Sequence, residues 1–154
     1  MDLRKASTAH DFDTARALFR QYVQIPGVLV CAAGFERELA ALESFYEVIL
    51  LAFDGPRALG CGALRPLHDG SAEIKRLFVQ PEARGLNAGR SLAVALIGHA
   101  RRAGYSAVRL DTLPSMRTAI ALYESLGFQR IPPYHPSCVD NSFCYELRLT
   151  PPPA

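Results

Sequence analysis

The chain has no tryptophan and only two lysines, Lys5 and Lys75, and neither sign of charge dominates. Seventeen Lys plus Arg stand against fifteen Asp plus Glu, a formal net charge of +2. That balance lacks the one-sided basic excess of a general nucleic-acid binder, so no nucleic-acid partner is expected. The arginine excess over lysine suits phosphate recognition, but it reads first as compositional bias. The four cysteines, Cys31, Cys61, Cys138 and Cys144, form neither a CxxC pair nor a zinc-type spacing, and reduced thiols are expected. His135 lies close to Cys138 and Cys144, but without regular spacing or a second cluster no metal is expected. The opening MDLRKASTAHDFD has no apolar signal-peptide core, and no stretch approaches the roughly 18 apolar residues of a membrane span. The expectation is a cytoplasmic chain with no membrane partner.

What is present is an apolar-rich chain of 154 residues, 49% hydrophobic, long enough to bury roughly 68 to 70% of its unfolded surface as one unit. Residues 1–150 are expected to form a single domain and 151–154 a frayed tail. Phe12, Ala15, Leu18, Phe19 and Tyr22 recur at helical spacing, and a second amphipathic piece spans Phe35 to Leu42. Val48 to Phe53 and Ala58 to Leu64 flank the turn Asp54-Gly55-Pro56 and predict an antiparallel hairpin. Ala72 to Val79 is a third strand whose alternation breaks: Ile74 and Phe78 share one parity, Leu77 and Val79 the other. A β-bulge reconciles it. A helix follows from Gly89 to Ala103, a strand from Ser106 to Thr112, and a helix from Ser115, its expected cap, to Leu126. A short run at Gln129 to Ile131 and a strand from Phe143 to Leu149 complete an α/β layered domain with a mixed sheet.

Chemistry concentrates between the third strand and the helix after it, in Val79-Gln-Pro-Glu-Ala-Arg-Gly-Leu-Asn-Ala-Gly-Arg-Ser91. A strand-to-helix loop of small residues turns successive amides toward one point and adds the positive end of a helix dipole, which together seat a phosphate. The spacing fits neither a nucleotide-triphosphate P-loop nor the dinucleotide G-x-G-x-x-G. An ordinary glycine-containing turn accounts for the loop equally well when it is taken alone.

Arg84-Gly-Leu-Asn-Ala-Gly89 closely resembles the Q/R-x-x-G-x-G/A pyrophosphate loop of the GNAT superfamily of acyl-CoA-dependent N-acyltransferases. The runs AEIKRLFVQPEARG and Ala119-Ile-Ala-Leu-Tyr-Glu-Ser-Leu-Gly-Phe128 resemble the central strand and late helix of the same family. The similarity is good from Ala58 to Phe128 and weak before it. Two departures stand out: Asn87 replaces a usual glycine, and Met116 replaces an asparagine that often begins the late helix. Asn tolerates the left-handed conformation, so the loop is expected to survive.

The resemblance implies a mostly antiparallel central sheet with helices on both faces and an N-acetyltransferase using acetyl-CoA as co-substrate, with no metal. The diphosphate would be bound by Arg84, Gly85, Leu86, Asn87, Ala88, Gly89, Arg90 and Ser91, and the pantetheine arm would pair beside Leu77, Phe78 and Val79. Amides near Phe78 or Val79 would stabilise the oxyanion. Tyr123 would protonate the departing thiolate, while on its own it reads also as a core tyrosine. Glu73, with Asp111 the best placed of the carboxylates, would collect the amine proton through water; it reads equally as a partner of Lys75 or Arg76. Arg65, Arg76 and Arg109 are candidates for meeting an acceptor carboxylate or a phosphate, and Tyr134 and His135 either line an acceptor pocket or lie on a surface turn. The acceptor is expected to be a small-molecule or peptide amine, and a homodimer is the expected assembly. The alternative is a non-catalytic acyl-CoA-binding sensor or interaction module.

Overall fold

The computed structural model describes residues 1–28, 32–134 and 142–150. Cys31, His135, Cys138 and the tail 151–154 lie outside the described residues. Seven strands form one sheet: β1 Asp2–Lys5, β2 Val48–Asp54, β3 Arg57–Pro66, β4 Ala72–Val79, β5 Ala107–Thr112, β6 Gln129–Ile131 and β7 Phe143–Arg148. Their order is β1-β2-β3-β4-β5-β7-β6, and every neighbouring pair is antiparallel except β4 and β5. The helices are α1 Ala9–Tyr22, α2 Ala32–Ala40, the short α3 Leu42–Phe45, α4 Ala88–Arg102 and α5 Arg117–Ser125. Among them no helix is long and apolar enough to cross a membrane.

The expected layering is observed. Leu18 and Phe19 of α1, Phe35 and Leu39 of α2 and Leu42 of α3 pack with Leu51, Phe53 and Phe78 on one face of the sheet. Leu96, Ile97 and Ala100 of α4 and Tyr123 of α5 pack with Val48, Leu64, Ile74, Val108 and Leu110 on the other. Phe143, Tyr145, Leu147 and Leu149 join this second layer, as their shared parity predicts.

The bulge in β4 is real and has a defined site. Cys61 pairs with Phe78 and Ala63 with Lys75, so the single residue Gly62 of β3 opposes both Arg76 and Leu77. Arg76 adopts φ +57°, a left-handed conformation that costs a non-glycine residue free energy. The extra residue inverts the alternation. Ile74 and Leu77, three apart, both meet the α4 layer, whereas Phe78 turns to the α1 layer. Ile74 and Phe78, which share a parity in the sequence, therefore lie on opposite faces.

Arg76 is held by a buried pair. Its Nε and Nη2 donate to Glu38 at 3.0 and 2.7 Å, and the Tyr46 hydroxyl donates to the same carboxylate at 2.8 Å. The guanidinium lies 5.7 Å from the Tyr22 ring centroid and 5.4 Å from that of Phe35. A helix outside the sheet is thus bolted to the bulge by a bidentate ion pair, the geometry in which arginine outperforms lysine.

The β4–β5 junction opens early. Only Ala72 with Val108 and Glu73 with Arg109 are in register. Beyond that point the two strands part.

Three local details differ from the expectations. β1 has no hydrophobic alternation and is seen only through its pairing with β2. Helix α1 begins earlier than its apolar stripe: Thr8 caps it, accepting from the Asp11 amide at 3.1 Å while Asp11 accepts from the Thr8 amide at 3.3 Å. Ser115 does not cap α5, because the helix starts one residue later than such a cap would set, behind Met116, which makes no side-chain cap bond.

Asp11 also accepts from the Ser7 amide and Arg4, and these donors hold its carboxyl at about 2, below its ordinary 3.8. A depressed folded value means that its contribution is complete above the unfolded value and disappears as pH falls through the folded one. Asp11→Asn should therefore lose stability near neutrality yet show a shallower decline between about pH 4 and 2, read by urea unfolding across that range. Glu38→Gln strands the Arg76 charge and should cost about 3 kcal/mol or more in the same assay.

Candidate active site

Where β4 and β5 part, a cleft of about 870 Å³ runs from the loop after β4 to α5. Its floor is Leu77, Phe78 and Val79; one end is Arg84, Gly85 and Asn87 to Arg90; the opposite wall is Met116 to Ala119 with Leu122 and Tyr123. Tyr22 and Ile25 reach it from the α1 side. From Ile74 onward β4 has no registered partner on β5, which leaves an open strand edge facing the cleft.

The loop is shaped by two left-handed residues. Gly85 has φ +87° and Asn87 φ +64°, so asparagine takes the conformation expected of it where glycine is usual. Pro81–Ala83 form a single 3₁₀ turn, and Asn87 stands at the N-cap of α4 without using its side chain as a cap. The amides of Gly85, Asn87, Ala88, Gly89 and Arg90 donate to no acceptor among the described residues. Three other expected donors are already engaged: Arg84 with Pro81 O at 3.3 Å, Leu86 with Ala83 O at 3.4 Å and Ser91 with Asn87 O at 3.1 Å. The unengaged amides thus span less than the whole Arg84 to Ser91 segment. Leu86 points out, half exposed, and Ser91 binds its own helix start through its hydroxyl; neither lines the cleft.

A second, smaller chamber of about 40 Å³ adjoins the cleft on the α1 side. Tyr22, Leu77, Met116, Ala119 and Tyr123 line both spaces, and Lys75, Arg76, Asp111 and Thr112 line the chamber. Tyr123 is 6% exposed, and its hydroxyl has no hydrogen-bond partner among the described residues. Burial, reinforced by Tyr22 and Asp111, raises its ionisation far above that of a free phenol, so the proton stays on the oxygen at neutral pH. A buried hydroxyl without a partner is expensive in a finished core and ordinary beside a ligand.

The other expected residues lie elsewhere. Glu73 is fully buried and lines neither space; it accepts from Arg65 Nε at 2.9 Å and from the Tyr134 hydroxyl. Tyr134 is half-buried, and burial beside Glu73 pushes its ionisation far up. The three strand arginines are committed internally: Arg65 to Glu73, Arg76 to Glu38, and Arg109 to Asp69 at 2.7 Å and Glu146 at 2.8 Å. They are structural cations, and Arg84, Arg90 and Arg117 are the arginines at the cleft. Cys61 and Cys144 are buried free thiols, and burial pushes both up. Tyr22 and Met116 are cleft residues that the helical pattern marks only as core and as an unmatched motif position.

A β-branched residue resists positive φ, so Asn87→Val should cost about 1 to 2 kcal/mol, whereas Asn87→Gly should be neutral or stabilising by up to about 1 kcal/mol. Chemical denaturation of the two variants tests the loop geometry directly.

The comparisons with known proteins agree with this architecture. The acetyltransferase (GNAT) family model matches residues 15–128. An uncharacterized N-acetyltransferase of Schizosaccharomyces pombe is 34% identical over 146 residues, covering 91% of this chain and 90% of the relative. A GNAT acetyltransferase of Staphylococcus aureus superposes with a TM-score of 0.80 at 19% identity, covering 97% of this chain and 100% of that one. A phosphinothricin acetyltransferase of Sinorhizobium meliloti, solved in complex with AcCoA, gives a TM-score of 0.75 at 18% identity over 96% of this chain and 88% of that one. The open strand edge, the amide-lined loop and the family match converge on one conclusion: the chain belongs to the GNAT family and is an N-acetyltransferase.

Proposed function

We propose that this enzyme moves the acetyl group of acetyl-CoA to the amine of a small molecule or peptide by direct attack on the thioester. The observation that carries the reading is the cluster of five unengaged amides from Gly85 to Arg90 at one end of the cleft whose other end holds the buried Tyr123 hydroxyl. The amides and the start of α4 fit a diphosphate. The open edge of β4 at Leu77, Phe78 and Val79 fits an extended amide-bearing arm, as an added strand would. The Sinorhizobium relative supports the cofactor, since it shares the fold and binds AcCoA.

When bound, the cofactor supplies an activated acyl carbon; the protein must supply proton management. An alkylamine near pKa 10.4 costs about 4 to 5 kcal/mol to deprotonate at pH 7. Two carboxylates on the same side of the sheet serve that step. Asp111 lines the chamber, and Glu73 is reached through the Tyr134 hydroxyl or water, because its oxygens already hold Arg65 and Tyr134. The Tyr123 hydroxyl, kept protonated by burial, donates a hydrogen bond to the leaving thiolate, which then takes its proton from solvent.

Tyr123→Phe should lower acceptor-dependent release of CoA thiol by about 10²-fold or more while leaving acetyl-CoA affinity by calorimetry within about twofold. Unchanged thiol release would remove Tyr123 from the mechanism.

A further inference from the structure

Two phenols look at the gap between β4 and β5 from opposite faces of the sheet. Tyr123 stands in the α4 and α5 layer, and Tyr22, the last residue of α1, stands in the α1 layer. Both line the cleft and the chamber alike. They are near neighbours electrostatically, since Tyr22 raises the ionisation of Tyr123. Neither hydroxyl has a hydrogen-bond partner among the described residues. The mechanism above uses Tyr123 and leaves Tyr22 without a task.

The Tyr22 ring is held firmly. It meets Phe78 edge-on at 6.3 Å between centroids, and the Arg76 guanidinium, itself bound to Glu38, lies 5.7 Å from its centroid. Behind the ring the chain turns tightly: the Ile25 amide donates to Tyr22 O at 3.1 Å and the Val28 amide to Ile25 O at 3.0 Å. Gly27, at φ +88°, comes so close to the β5–α5 connection that a Cβ there would stand 3.1 Å from Leu113 Cδ1. The end of α1 is thereby packed against the segment that leads into α5. A phenylalanine at position 22 would make the same ring contacts, so packing does not account for the oxygen. A phenol oxygen that the protein leaves unengaged is available to a ligand.

We infer that the Tyr22 oxygen receives the acceptor, taking a hydrogen bond from an N–H of the incoming amine on the side of the gap opposite Tyr123. This deepens the acetyl-transfer reading above and rests on it. In that reading the acyl arm lies along the open edge of β4 and Tyr123 serves the departing sulfur. The nucleophile then enters from the α1 face, where Tyr22 stands. Burial raises the ionisation of Tyr22, so its oxygen keeps its proton at neutral pH and still offers lone pairs to a donor. Holding one N–H of the amine leaves the nitrogen lone pair to be directed at the acyl carbon, a gain in orientation that a freely tumbling amine lacks.

Tyr22→Phe keeps the ring and removes only the oxygen. The test follows release of CoA thiol from acetyl-CoA with benzylamine, 2-phenylethylamine and trialanine as acceptors, alongside acetyl-CoA binding by calorimetry. The variant should lose about tenfold or more in kcat/KM for whichever of these amines the wild-type enzyme uses, the greater part of it in acceptor KM. Acetyl-CoA affinity should stay within about twofold and Tm should not fall. The Tyr123→Phe variant should instead lose kcat. An unchanged kcat/KM in Tyr22→Phe would overturn the inference, and so would a loss confined to kcat or one matched by weaker acetyl-CoA binding. A lowered Tm would also overturn it, because the hydroxyl would then be bonded within the protein. In all of these cases the wild-type enzyme still transfers acetyl groups and the underlying reading stands. Failure of the wild-type enzyme to release thiol with any of the amines, while binding acetyl-CoA, would overturn both.

Discussion

One extra residue in β4, held in place by one ion pair, governs the rest of the structure. A strand with strict alternation would put Leu77 and Phe78 on the faces opposite to those they occupy, taking Leu77 out of the α4 layer and Phe78 out of the α1 layer. The bulge resolves the conflict, and the left-handed Arg76 that creates it is strained. The compensation is the bidentate bond to Glu38, backed by Tyr46 and enclosed by the rings of Tyr22 and Phe35. Buried pairs of this kind rarely add net stability over apolar packing, but they fix one geometry against its neighbours. Here the geometry fixed is the attachment of α2 to the strand that floors the cleft.

The candidate site is a place where ordinary rules of satisfaction are suspended together. Among the described residues, five amides, a strand edge and a buried phenol around one cleft go without partners, while three nearby arginines and Glu73 are engaged. Such polar groups cost free energy in an empty protein and lower the reorganisation needed when a ligand with matching groups arrives. The engaged charges do the complementary work. They hold Tyr134 and the strands that diverge in fixed positions around the cleft that the unengaged groups line.

Much of this is legible in the residues. The break in parity at Ile74, Leu77 and Phe78 marks the bulge, and the small residues around Asn87 mark the loop and its left-handed turn. The helices α1 and α4 follow from apolar spacing, since one stripe of each faces the sheet. Other features leave no local trace. β1 is polar and exposed, because an edge strand needs hydrogen bonds rather than a buried face. The partners of Arg65, Arg76 and Arg109 lie 8, 38 and 37 residues away in sequence, and nothing in an arginine tells which carboxylate it will meet. Which loop amides remain unengaged depends on turn geometry, so Leu86 and Ser91 fall inside the motif yet outside the cleft. The second cavity depends on how far β4 and β5 diverge, a property of the whole sheet.

The bulge is a matter of residue count, not of residue type. Amino-acid exchanges at positions 74 to 79 alter how well the strand packs but leave its register with β3 intact, because two residues still stand against Gly62. Loss of the codon for residue 76 would instead leave one residue against Gly62 and return the strand to plain alternation, with Leu77 and Phe78 on their present faces but without the arginine that holds Glu38. Point substitution can therefore retune what this strand touches, whereas a change in residue count at the bulge decides whether α2 stays anchored to it.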